Sequence, residues 1–251
     1  MPDVEAGFAA SRRPLMERLC LWAAAKWFAL LLAASLSVNS AYAQSRNLAP
    51  GFSNLPRDSV VLLAPLDVEL FSLGVGGIPE PRADWTQAAL KHMKVALEKR
   101  KQSLGVRTVE IDEIAADDFA ELLSLHAAVA SAISAHHFGI HALPTKEGQL
   151  DWSFGDALQP LHKHTGARYA LFTFIRDSYA SAERIAAIAV MALLGVGLSG
   201  GVQVGYASLV DLQTGQVLWF NQLLRGSGDL REAERAAETV LALLRGLPDA
   251  Q

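Results

Sequence analysis

One cysteine, Cys20, serves the whole 251-residue chain. A single thiol excludes an intramolecular disulfide, and Cys20 sits in what reads as a leader, so the rest of the chain has no thiol chemistry. Small residues normally precede a lipid-modified cysteine, whereas Glu17-Arg18-Leu19 precede this one, so a lipoprotein is not expected. Basic charge is also scarce: 22 Lys and Arg face 26 Asp and Glu, a net −4. That argues against a nucleic-acid partner, whose binding usually needs a basic face. Long apolar runs are missing as well. The longest, Ile185–Leu198, has 14 residues, against the roughly 17–20 that a membrane-spanning helix needs.

The start of the chain reads as an address. Arg12, Arg13, Arg18 and Lys26 precede an apolar segment, Trp27–Val38, which ends in the small residues Ala41-Tyr42-Ala43. This is the charged, apolar, A-x-A order of a secretory signal peptide, with cleavage expected between Ala43 and Gln44. Ser11-Arg12-Arg13 resembles a twin-arginine signal, but Pro14-Leu15-Met16-Glu17 fit it poorly. Export as an unfolded chain is the better reading, and Met16 is an alternative start. Residues 44–251 would then carry 18 basic and 23 acidic side chains, net −5, enough chain for one domain with its own core. Pro50, Gly51 and Pro56 mark residues 44–58 as a flexible tether.

From residue 59 onward the pattern is α/β. Ser59–Ala64 is a continuous apolar run suited to a buried strand, and beyond Pro65 it becomes alternating over Leu66–Leu70. A glycine- and proline-rich loop, Ser72–Pro81, follows. A helix is predicted from Asp84, capped by Asp84 or Thr86, to about Leu104, with Trp85, Ala89, Met93, Ala96 and Leu97 inward and Gly105 as its stop. Val106–Ile111 reads as a strand. Ala115–Phe138 reads as a helix burying Phe119, Leu122, Leu123, His126, Val129 and Ile133, and a short helix ends at Gly166. Ala167–Ile175 is a strand and Val202–Leu224 a hairpin turning at Asp211–Gln216. A last helix, capped by Ser227 or Asp229, buries Leu230, Ala233, Ala237, Val240, Leu241 and Leu244. The expected order is β-α-β-α-α-β-(apolar helical insert)-β-β-α, a single α/β domain with a mixed sheet of about five strands covered by helices.

Few residues suggest chemistry. Asp67 and Glu69 share one strand face, as an acid/base or metal pair would require, but no His or third carboxylate accompanies them. His136, His137 and His141 form the densest imidazole cluster, with His162 and His164 following, yet Gly139 interrupts the first group and no H-E-x-x-H occurs. Gly195, Gly197 and Gly200 match G-x-G-x-x-G, and Gly197–Gly201 matches G-x-S-x-G around Ser199. A strand, not a helix, follows both, so neither a dinucleotide cradle nor a nucleophile elbow is supported. The glycines read more simply as a flexible exit from the apolar run. No catalytic residue, metal or cofactor is expected.

Gly166–Phe172 (GARYALF) and Ser208–Trp219 (SLVDLQTGQVLW) resemble the GADYxLxG and LVDxxTGxVLW segments of a broad group of bacterial envelope proteins. That group includes the CsgG-like secretion channels, penicillin-binding-protein activators and uncharacterised lipoproteins. Pro65–Leu70 and Gly76–Thr86 are similar to the PDVEL…GG…EPRAxWT pattern of an uncharacterised exported proteobacterial family. The resemblance implies binding, assembly and oligomers rather than turnover. The lipid-attachment cysteine and the paired long segments of a secretion barrel are missing. The expectation is therefore a periplasmic, envelope-associated, non-catalytic protein working by contact with a protein partner or with itself. An exported enzyme using Asp67/Glu69 or the histidines, and membrane contact through Ile185–Leu198, are the alternatives. The candidate interaction surface is Ile185, Ile188, Val190, Met191, Leu193, Leu194, Val196 and Leu198, introduced by the helix-capping residues Ser181 and Glu183. A buried core helix is nevertheless the first reading of this run, with contact with another copy or a membrane the second.

Overall fold

The computed structural model describes residues 46–101, 105–111, 120–226 and 228–251. The leader with its Ala43–Gln44 junction, Phe119 and Ser227 lie outside the described residues, as do the ends of two predicted helices.

Two β-rich runs set the architecture. β1 (Val60–Leu63) and β2 (Asp67–Leu73) both pair in parallel with β5 (Tyr169–Ala180), β1 against residues 169–171 and β2 against residues 174–180. They lie in series along one edge of β5, interrupted at Pro65. The other edge of β5 pairs antiparallel with β6 (Gln203–Asp211), and β6 with β7 (Val217–Arg225). Outside β2 lies the short antiparallel β3 (Pro79–Pro81), and outside β1 the parallel β4 (Arg107–Glu110). Seven strands thus make a mixed sheet five ribbons wide. The two strands beyond the expected set come from a division at Pro65, which has no amide to donate, and from the Pro-Glu-Pro pairing at the edge.

Helices cover both faces. α1 (Ala83–Lys101) packs with α5 (Ala233–Leu243) over a layer containing Leu63, Leu70, Met93, Leu171, Ile175, Leu209 and Leu243. On the other face α2 (Ala120–Ile133), extended by a wide turn at Ser134–Phe138, and α3 (Gln159–Thr165) cover Leu62, Phe172, Tyr206, Val210 and Phe220. Successive residues of a strand point to opposite faces. Leu62 and Leu63 therefore enter different layers, which explains why β1 and β5 are apolar without alternation. The remaining helix, α4 (Ala182–Leu193), belongs to neither layer.

The hairpin turn has a mechanical explanation. Asp211 Oδ1 accepts from the amides of Gln213 (2.8 Å) and Thr214 (3.2 Å), and its Oδ2 meets Arg168 Nε at 3.2 Å. Gly215 holds φ +71°, where a Cβ would lie 2.1 Å from the Gly155 carbonyl oxygen. Asp and Gly in this segment build the turn and its close approach to the α3 region.

Three expectations are corrected. The stretch read as a tether is packed down. Asn47–Ala49 pair with the outer edge of β7 (Phe220 N to Asn47 O, 3.0 Å; Ala49 N to Leu218 O, 2.8 Å), and Leu55 is buried beside Ala250. Thr86 does not cap its own helix; its Oγ1 accepts from Leu70 N in β2 at 2.9 Å, and Asp84 pairs instead with Arg82. Asp229 does not cap α5 either, because Glu232 stands at the N-cap and Asp229 is bound to Arg231.

A candidate contact surface at the end of the sheet

β2 and β5 end level with each other, Leu73 opposite Ala180, and β6 begins and β7 ends at the same place, Gln203 opposite Arg225. The 22 residues joining β5 to β6 project from this end. Ser181 N donates to Leu73 O (2.9 Å), and Ser181 Oγ accepts from Arg184 N (3.2 Å), the capped start that the sequence suggested.

α4 then turns the usual arrangement around. Its one buried side chain among the described residues is Arg184, 8% exposed. The guanidinium donates to the carbonyls of Ser199 (Nε, 2.9 Å), Gly74 and Val75 (Nη1, 3.3 Å each), and so clasps the β2–β3 loop to the exit of the insert. Gly77, at φ +77°, brings its backbone so close that a Cβ would stand 3.1 Å from Nη1. The apolar residues point outward. Leu193 is 88% exposed, Leu194 71%, Ile185 and Val190 59% each; Val196 is exposed and Ile188, Met191 and Leu198 are half-buried. The buried-core reading of this run is therefore wrong. Both faces of the sheet are already covered by other elements, leaving α4 no core to enter. Val75, Ile78, Val202 and Leu224, exposed at the same end, extend the apolar patch.

The glycine motifs belong to this exit. Gly201 takes φ +145° and lies where a Cβ would be 2.0 Å from Ser178 O, while Ser178 Oγ bonds both the amide and the carbonyl of Val202. This glycine is required by a close approach, not by flexibility. Among the described residues Ser199 Oγ bonds the backbone of Gly201, and its place before a strand matches neither enzyme motif.

The base of the patch is braced by a buried polar network. Asp177 accepts from the Tyr179 hydroxyl and from Gln203 Nε2 (2.6 Å), and Tyr179 Oη accepts from Leu230 N (2.8 Å). Arg225 reaches Gln203 Oε1 (2.8 Å) and Thr239. Burial pushes the Asp177 carboxyl up from its ordinary value, against the hydrogen bonds from Tyr179 and Gln203; burial and the neighbouring Asp177 push the Tyr179 phenol up as well.

The other candidate groups are engaged elsewhere. Arg176 on β5 takes both carboxylates, Asp67 at 2.6 Å and Glu69 at 3.4 Å, so the shared strand face carries an ion-pair network. His137 Nε2 lies 2.7 Å from Arg46 O and His136 Nδ1 2.8 Å from His141 O, while His162 Nδ1 lies 2.7 Å from Ala167 O. Among the described residues no three His, Cys, Asp or Glu side chains converge as a metal set. The sequence reading put His126 on a buried face but missed its partner, Ser208 Oγ, at 2.9 Å from Nε2. Both are sealed in the core, with Phe172 stacked 5.1 Å from the imidazole. A serine beside a histidine suggests a nucleophile, yet no substrate reaches one this deep. A mainly apolar cleft of about 340 Å³ lies at the break between β1 and β2, lined by Leu63, Pro65, Leu66, Leu90, Leu97 and Ile111 together with Lys94, Glu98 and Glu110. No helix among the described residues is long and apolar enough to cross a membrane.

No protein-family model and no curated protein matches the chain. Solved structures resemble it distantly. The PelC dodecamer from Paraburkholderia phytofirmans is 14% identical over 80% of this chain and 94% of that one, with a TM-score of 0.37. Lipoprotein GNA1162 from Neisseria meningitidis is 13% identical over 68% and 81%, TM-score 0.28. The LpoB C-terminal domain from Salmonella enterica is 12% identical over 70% and 87%, TM-score 0.28. Likenesses of this order are similarities of the chain trace and carry no functional argument.

Proposed function

We propose that this is an exported, envelope-associated protein that catalyses nothing and works by protein–protein contact through the apolar end built on α4. The inverted helix, with arginine inward and leucine outward, is the observation that carries the reading. Soluble monomers rarely expose contiguous apolar patches beyond a few hundred Å² unless the patch is used. The leader, with cleavage after Ala43, would deliver residues 44–251 to the periplasm. Arg176 occupying Asp67 and Glu69, and imidazoles spent on backbone carbonyls, support a binding role over an enzymatic one.

A photo-crosslinking residue placed at Leu193 in cells exporting the protein tests this. Covalent adducts with protein should form at Leu193 and not at Gln213, in the turn at the opposite end of the sheet. Adducts with lipid alone, or equal labelling at both positions, would sink the proposal.

A further inference from the structure

We infer that the occupant of the α4 end is a second copy of this chain, an assignment that rests on the contact reading above. Nine large apolar side chains at this end are exposed among the described residues, Ile78, Ile185, Leu193, Leu194 and Leu224 foremost. A surface of nine such side chains is of the order of the ~800 Å² per partner that a standard protein interface takes. The patch comes from separate elements, the β2–β3 loop, the insert and the end of β7, and two of these are fixed to each other by the Arg184 clasp.

Charge then selects the occupant. Residues 185–202 contain no charged and no aromatic side chain. A lipid-surface helix carries Lys or Arg on a polar face and aromatic residues at its border; the one arginine of α4 is turned inward onto three backbone carbonyls. A chemically different protein partner is normally selected by complementary charges, and residues 185–202 offer none. What it complements is another uncharged apolar surface, and the chain presents one of matching size in itself. Residues 44–251 carry net −5, so most approaches between copies are repulsive. Contact through this end brings few acidic groups together, with Glu80 and Glu183 at its margin.

Residues 44–251 contain no cysteine, which makes the test direct. Ala189→Cys, on the exposed side of α4, should form a disulfide-linked dimer on mild oxidation, and Gln213→Cys should not. In sedimentation equilibrium the unmodified protein should self-associate, and Val190→Asp with Leu193→Asp should weaken that association at least tenfold. A protein that stays monomeric with no Ala189→Cys cross-link overturns the inference. If that monomer still gives protein adducts at Leu193 in cells, the second copy fails and the contact reading stands. If it instead co-sediments with phosphatidylethanolamine–phosphatidylglycerol vesicles, both fail.

Discussion

At His126 the fold holds an imidazole away from water, with Ser208 as its polar neighbour and Phe154 and Phe172 stacked beside it. Burial lowers its pKa from 6.5 to about 3, and burial lowers that of His137 too. Between pH 6.5 and about 3 the unfolded chain binds this proton and the folded one does not, so stability is lost as pH falls. From pH 7 to pH 5 the loss due to His126 amounts to about 2 kcal/mol, at ~1.4 kcal/mol per unit. Replacing the pair together, His126→Leu with Ser208→Ala, leaves no orphaned hydroxyl and should remove most of that difference. Urea unfolding at the two pH values measures it, and an unchanged pH dependence would refute the assignment. The pattern of α2 showed that His126 faces inward. Its partner is 82 residues away on β6, and pairing at that separation is set by the packing of helix on sheet.

Among the elements, the N-terminal segment departs most from its sequence. Pro50, Gly51 and Pro56 interrupt residues 46–58 and no periodicity survives, so composition suggests a tether. The fold uses it as a strap along β7, an edge that would otherwise present unpaired amides and carbonyls. Ala49 and Leu55 are buried, and Asn47 Nδ2 donates to Phe220 O at 2.7 Å. Burial of two or three apolar side chains at about 1.5–3 kcal/mol each makes the strap part of the fold's stability. Deleting residues 44–56 should lower the melting temperature by ~6 °C or more, at ~2–4 °C per kcal/mol for a domain of this size. Thermal unfolding followed by circular dichroism checks this, and a shift under 2 °C would return the segment to the status of a tether. The strands and helices themselves were more legible. β1, the β6–β7 hairpin and the stripe of Ala89, Met93 and Ala96 lie where alternation and helical spacing put them, because each buries its apolar side against a neighbour.

For the molecule as a whole, stability and contact surface are separate. The two core layers close without α4, so loading it with charge should cost little. Val190→Asp with Leu193→Asp should leave the denaturation midpoint of dilute, monomeric protein within about 1 kcal/mol of the parent, as exposed positions generally do. A loss of several kcal/mol would show that α4 is packed after all. The sequence by itself determined the α/β class, the helical nature and capped start of the insert, and an acidic composition whose single cysteine leaves no intramolecular disulfide. These follow from local pattern and composition. Only the tertiary structure decided that Asp67 and Glu69 belong to Arg176, that residues 46–55 strap an edge, and that Ile185–Leu198 faces outward. Each of those depends on which distant surfaces are already occupied. An apolar run reads the same whether a core awaits it or not, and here other elements cover both faces of the sheet.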